Sequence, residues 1–75
     1  MSIKFSDHVT RQLEERKISK KRVIDTVKKP ETKSKSYKDR TLRQSRFGSK
    51  ILEVVTVTEG SKITVITAYY LKETK

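Results

Sequence analysis

The chain has 75 residues and a mass of 8.8 kDa, room for one small domain over 1–75 and no second core. It carries 19 Lys and Arg against 9 Asp and Glu, a formal net charge of +10. With no cysteine and one histidine, disulfides, thiolate nucleophiles, zinc fingers and His-rich metal sites are excluded, and neither metal nor cofactor is expected.

Phe5, Val9 and Leu13 recur every four residues with polar side chains between them, the stripe of a helix over about 6–17. Ser6 suits its N-cap, and Asp7 suits the positive end of its dipole. Ser19 caps a second helix, about 20–28, with Val23, Ile24 and Val27 turned inward. Pro30 stops it, because the residue before a proline avoids the helical region. Two helices joined this tightly form an αα-hairpin. The polar stretch 31–39 reads as a loop or a weak edge strand, and residues 41–47 as a strand that turns at 48–49. Residues 51–58 and 62–71 are rich in β-branched and aromatic side chains and read as two strands joined at Glu59-Gly60. That turn sets Leu52, Val54 and Thr56 on one face with Ile63, Val65, Thr67 and Tyr69, under the helices. The expected fold is α+β: an N-terminal αα-hairpin packed on one face of a three- to four-stranded antiparallel sheet.

Leu, Ile, Val and Phe make up 19 of the 75 residues, above the roughly 20% below which a highly charged chain stays disordered. A core this thin suits a monomer or a homodimer, or a domain steadied by a partner. No apolar leader is visible, and the longest uncharged apolar stretch, 63–71, is far short of the roughly 20 residues of a membrane span. A cytoplasmic protein with no membrane partner is expected.

The charge is uneven. From Arg16 to Lys50 there are 14 basic side chains against Asp25, Glu31 and Asp39, whereas residues 51–75 are neutral. Such a field steers polyanions, of which nucleic acid is the commonest. An acidic protein is the rival partner, and a merely solubilising surface is the bland alternative. Tyr37 and Tyr70 are placed to stack unpaired bases, which makes RNA a better partner than duplex DNA.

The segment FSDHVTRQLEERKIS, with Ser6, His8, Leu13, Arg16, Ile18 and Ser19 at their spacings, resembles a family of small bacterial and archaeal proteins of unknown function. The resemblance continues through Val23, Val27 and Pro30 to the strand Ile66–Tyr70. Gln12 stands where that family often has Arg, and Lys17 where it usually has Gly. The family is grouped with the RelE-like toxins and the wider fold of barnase, EndoU and the colicin ribonucleases. The resemblance implies a RelE-like, metal-independent RNA-cutting scaffold of the toxin–antitoxin type, held by an acidic antitoxin-like protein.

Metal-free RNA cleavage needs a proton acceptor near neutrality, and His8 is the only imidazole. His8, Gln12 and Arg16 follow at i, i+4 and i+8, one row of a helix. Arg16 is the candidate charge stabiliser, and Thr67 and Tyr69 are candidates to orient a phosphate. Lys20, Lys21, Arg22, Lys38, Arg40, Arg43 and Arg46 are the expected contacts to the nucleic-acid backbone. The function expected is that of an RNA-binding protein that is a metal-independent endoribonuclease. The alternatives are a non-catalytic basic nucleic-acid-binding protein and a module that binds an acidic protein.

Overall fold

Seven elements follow in the computed structural model, which describes residues 2–72: β1 (Ser2–Phe5), α1 (Asp7–Arg16), α2 (Lys20–Lys28), β2 (Thr32–Lys35), β3 (Arg40–Phe47), β4 (Lys50–Glu59) and β5 (Lys62–Lys72). Serines open both helices. The Ser6 hydroxyl accepts the Val9 N–H at 3.1 Å, and the Ser19 hydroxyl accepts the Arg22 N–H at 3.5 Å. Each occupies one of the donors that a helix start leaves unpaired.

Helix α1 ends in a Schellman motif. The Ile18 N–H reaches back to the Leu13 carbonyl at 2.9 Å and the Lys17 N–H to that of Glu14 at 3.3 Å. Leu13 and Ile18, the flanking apolar pair of that motif, are both buried. The motif places Lys17 at φ 55°, ψ 44°, a left-handed conformation that crowds a Cβ. Lys17→Gly is therefore expected to stabilise the fold by about 0.5–1 kcal/mol, read as a higher urea midpoint at unchanged slope.

All five strands form one sheet in the order β1-β5-β4-β3-β2. This corrects the expected three- or four-stranded antiparallel sheet. β2, β3, β4 and β5 are antiparallel neighbours, but β1 lies parallel to β5, with Ser2 opposite Lys62 and Phe5 opposite Val65, so the sheet is mixed. The four residues of β1 escaped a periodicity reading because Phe5 fits the helical stripe of Val9 and Leu13. Phe5 is in fact the last residue of the strand, half-buried against the same core. β2 is the weak edge strand, exposed along its whole length, with Lys33 and Lys35 on it.

Both helices pack on one face of the sheet. Val9, Leu13, Ile18, Val23 and Val27 meet Leu52, Val54, Ile63, Val65 and Ala68 in a single core. The register at β5 departs from the expected one in two ways. Glu59 pairs with Lys62, so Gly60 and Ser61 form the turn, with Gly60 at φ 61°. Then a bulge intervenes: Thr56 pairs with Val65 and Val55 with Thr67, which leaves Ile66 extra. Past the bulge, Ala68 and Tyr70 take the helix-facing positions beside Val54 and Leu52. Thr67 and Tyr69 turn to the open face instead, beside Val55 and Glu53.

Candidate functional site

β1 pairs with β5 only as far as Val65, so the outer edge of β5 is uncovered by any strand beyond that point. α1 packs along β5, and its row His8, Gln12 and Arg16 reaches this edge. Gln12 is the joint. Its Oε1 accepts the Thr67 hydroxyl at 2.8 Å, and its Nε2 lies 2.9 Å from His8 Nε2. With the amide oxygen taken by Thr67, the amide N–H faces the ring, so His8 Nε2 is the acceptor and the neutral imidazole carries its proton on Nδ1. The Arg16 guanidinium donates to the Ala68 carbonyl at 2.9 Å, a backbone oxygen on the free edge of β5.

On the open face, Gln44, Glu53 and Tyr69 stand in register across β3, β4 and β5. Gln44 Nε2 donates to one Glu53 oxygen at 2.6 Å, and the Tyr69 hydroxyl donates to the other. Glu53 is 8% exposed, a nearly buried acid whose two oxygens are both engaged. The hydrogen bond to Glu53, then burial and the negative charge of Glu53, push the Tyr69 phenol up to about 12, with Arg16 pulling the other way. Tyr69 is thus held as a donor, and Arg16 is near enough to act on it.

The raised value has a stability consequence. A tyrosine of ordinary pKa, about 10 in the unfolded chain, ionises there before it does in the native state. The Tyr69–Glu53 bond therefore supports folding fully below pH 10, and the support is lost as pH rises to about 12. The native chain is expected to exceed Tyr69→Phe by about 1 kcal/mol at neutral pH, a charged-acceptor hydrogen bond discounted for the solvent that reaches the ring. Urea unfolding of both chains at stepped alkaline pH would show the gap closing over that window.

Of the sequence-predicted site residues, His8 and Thr67 are joined through Gln12, Arg16 reaches the same strand at the Ala68 carbonyl, and Tyr69 stands on the adjoining open face bonded to Glu53. Arg40 and Arg46 alternate with Leu42 and Gln44 on the same open face. Lys20, Lys21 and Arg22 occupy the exposed first turn of α2, where no acidic residue balances them. Lys20 lies 4.9 Å over the Phe5 ring and Arg22 4.8 Å over that of Phe47. Lys38 is at the exposed tip between β2 and β3, 5.6 Å over the Tyr37 ring. Arg43 is apart from all of these. It is 6% exposed on the helix-facing side, where its guanidinium donates to the Val27 carbonyl at 2.9 Å and to the Thr56 hydroxyl at 3.1 Å. It closes the C-terminus of α2 from below. Burial lowers its pKa, yet a guanidinium stays charged.

Three residues of the cluster went unassigned in the sequence. Gln12 was placed in the helical row between His8 and Arg16 and as a departure from the resembling family, but was given no role. Glu53 is a lone carboxylate in the apolar run ILEVVTVT, and that interruption is the signal that marks it. Gln44 carries no signal of its own and is found only through the register.

Among the described residues, no group of three or more His, Cys, Asp or Glu side chains is placed to hold a metal ion. No helix among them is long and apolar enough to cross a membrane. No curated protein and no solved structure matches the chain. Residues 5–70, from the last position of β1 to Tyr70 of β5, match a family described as a domain of unknown function, DUF4258, and the chain belongs to that family.

Proposed function

We propose that this protein binds single-stranded RNA and cuts it without a metal ion, a RelE-like activity of the toxin–antitoxin type. The observation that supports the reading is that α1 brings the row of an imidazole and a guanidinium to the edge of β5 that carries Thr67, with the Tyr69 phenol on the adjoining open face. His8 Nε2, held as an acceptor, takes the proton of a ribose 2′-hydroxyl once substrate displaces the Gln12 amide. The 2′-oxygen then forms a bond to phosphorus, and the bond from phosphorus to the 5′-oxygen breaks. The leaving oxygen takes a proton from water, the hydroxide so formed takes the proton held on His8, and the products are a 2′,3′-cyclic phosphate and a 5′-hydroxyl. Arg16 faces the charge that builds on the phosphoryl oxygens, and Tyr69, its one proton donated to Glu53, lines the open face beside it. Glu53 and Gln44 hold Tyr69 in place.

A second reading, an RNA-binding protein without catalysis, draws on one observation. His8 Nε2 and the Arg16 guanidinium are both engaged within the chain, by Gln12 and by the Ala68 carbonyl.

The deciding experiment incubates pure protein with labelled single-stranded RNA in EDTA at low salt and reads product ends and gel shift together. The expected result is cleavage with cyclic-phosphate ends, with an all-2′-deoxy strand left intact. Affinity should fall with salt, by about 0.7 in log–log slope for each phosphate neutralised on a single strand. A shift without cleavage overturns the enzyme and leaves the binding protein. Neither shift nor cleavage overturns both and points to an acidic protein partner.

A further inference from the structure

The β3–β4 hairpin end carries a second group that the site above does not use. Phe47 and Tyr70 lie on the helix-facing side of the sheet, where Phe47 pairs with Lys50 and Tyr70 with Leu52. Both rings are half-buried against the core. What overlies them is charge: Arg22 sits 4.8 Å over the Phe47 ring and Lys50 sits 5.4 Å over the Tyr70 ring. Arg22 also donates to the Tyr70 hydroxyl at 3.0 Å. Arg22 and Lys50 are exposed, so two anchored rings are covered by solvent-facing cations.

This arrangement fits a nucleotide. The cations can swing to a phosphate and free the ring faces, and a stacked base holds an aromatic ring more strongly than an exposed cation does. The group is also correctly placed. Tyr69 and Tyr70 are consecutive on β5 and point to opposite faces of the sheet, with Arg16 on the strand edge at Ala68 beside them. β1 stops at Val65, so no strand bars the way round that edge.

We propose that Tyr70, with Phe47, Arg22 and Lys50, forms a base-stacking subsite for the same RNA, and that the strand crosses the free edge of β5 between this subsite and the site at His8. The inference rests on the RNA-binding reading above. It adds that recognition takes place on both faces of the sheet.

The test uses a short 2′-O-methyl RNA strand, which binds but has no free 2′-hydroxyl to attack, and reads fluorescence anisotropy. Tyr70→Leu is expected to weaken binding about tenfold, within the range found for loss of one stacked base. Tyr70→Trp keeps a ring in the core position and supplies the chain with its only indole. It is expected to bind at least as tightly as the native chain, with its emission quenched by the RNA. Arg22→Gln with Lys50→Gln is expected to lower the salt slope. If the native chain binds the strand while Tyr70→Leu matches it, or while the Tyr70→Trp emission does not respond, the subsite is overturned and the RNA reading stands. If the native chain does not bind at all, that reading fails and the subsite with it.

Discussion

Replacing Arg43 with alanine is expected to cost about 3 kcal/mol of stability. The change removes two hydrogen bonds from a charged donor and strands the Val27 carbonyl at the end of α2. It also takes away a buried aliphatic stem beneath that helix. A domain of this length has roughly 4–11 kcal/mol in total, so the variant is near its limit. Urea unfolding should show a much lower midpoint, and Arg40→Ala, on the exposed end of β3, should stay within about 0.5 kcal/mol of the native chain. Should Arg43→Ala instead unfold like Arg40→Ala and lose RNA affinity, the guanidinium would be a nucleic-acid contact after all.

The largest functional effect is expected at His8. Removing the proton acceptor of a general-base step costs about 10²–10⁴ in rate, so His8→Ala should leave cleavage close to background. The ring is exposed on the first turn of α1, and Gln12 is its hydrogen-bond neighbour, so the fold should move by no more than about 0.5 kcal/mol. Single-turnover cleavage beside circular dichroism separates the two effects. Unchanged cleavage by a folded His8→Ala would remove the imidazole from the mechanism.

The helices were legible almost to the residue, because Ser6, Ser19 and Pro30 are local signals that act through their own backbone neighbours. β3, β4 and the start of β5 were legible for the same reason, as runs of β-branched side chains. β1 was not. Four residues cannot announce a strand whose partner lies sixty positions away, and Phe5 served a helical pattern equally well. The bulge at Ile66 was hidden too, since nothing in KITVITAYYL shows where the alternation slips. That slip alone moves Thr67 and Tyr69 from the expected helix face to the open one. Thr67 still meets the row on α1, because the row reaches round an edge rather than down onto a face. Arg43 shows the other limit. In sequence it is one of three similar arginines on a strand, and only the parity of that strand sends it inward while Arg40 and Arg46 face out.

The parallel pairing of β1 with β5 also sets when this molecule can exist. Ser2 meets Lys62, Thr67 meets Gln12 and Ala68 meets Arg16, so the contacts that complete both sheet and site span nearly the whole chain. Contacts of such separation close late and slow the folding of small domains. Each helix and the β3–β4 hairpin can form early from local interactions, but none of them holds the cluster. During synthesis, His8 and Arg16 emerge first and wait without their counterparts until residues 67–69 have been made. Any chemistry this edge performs requires a chain made at least through Tyr69.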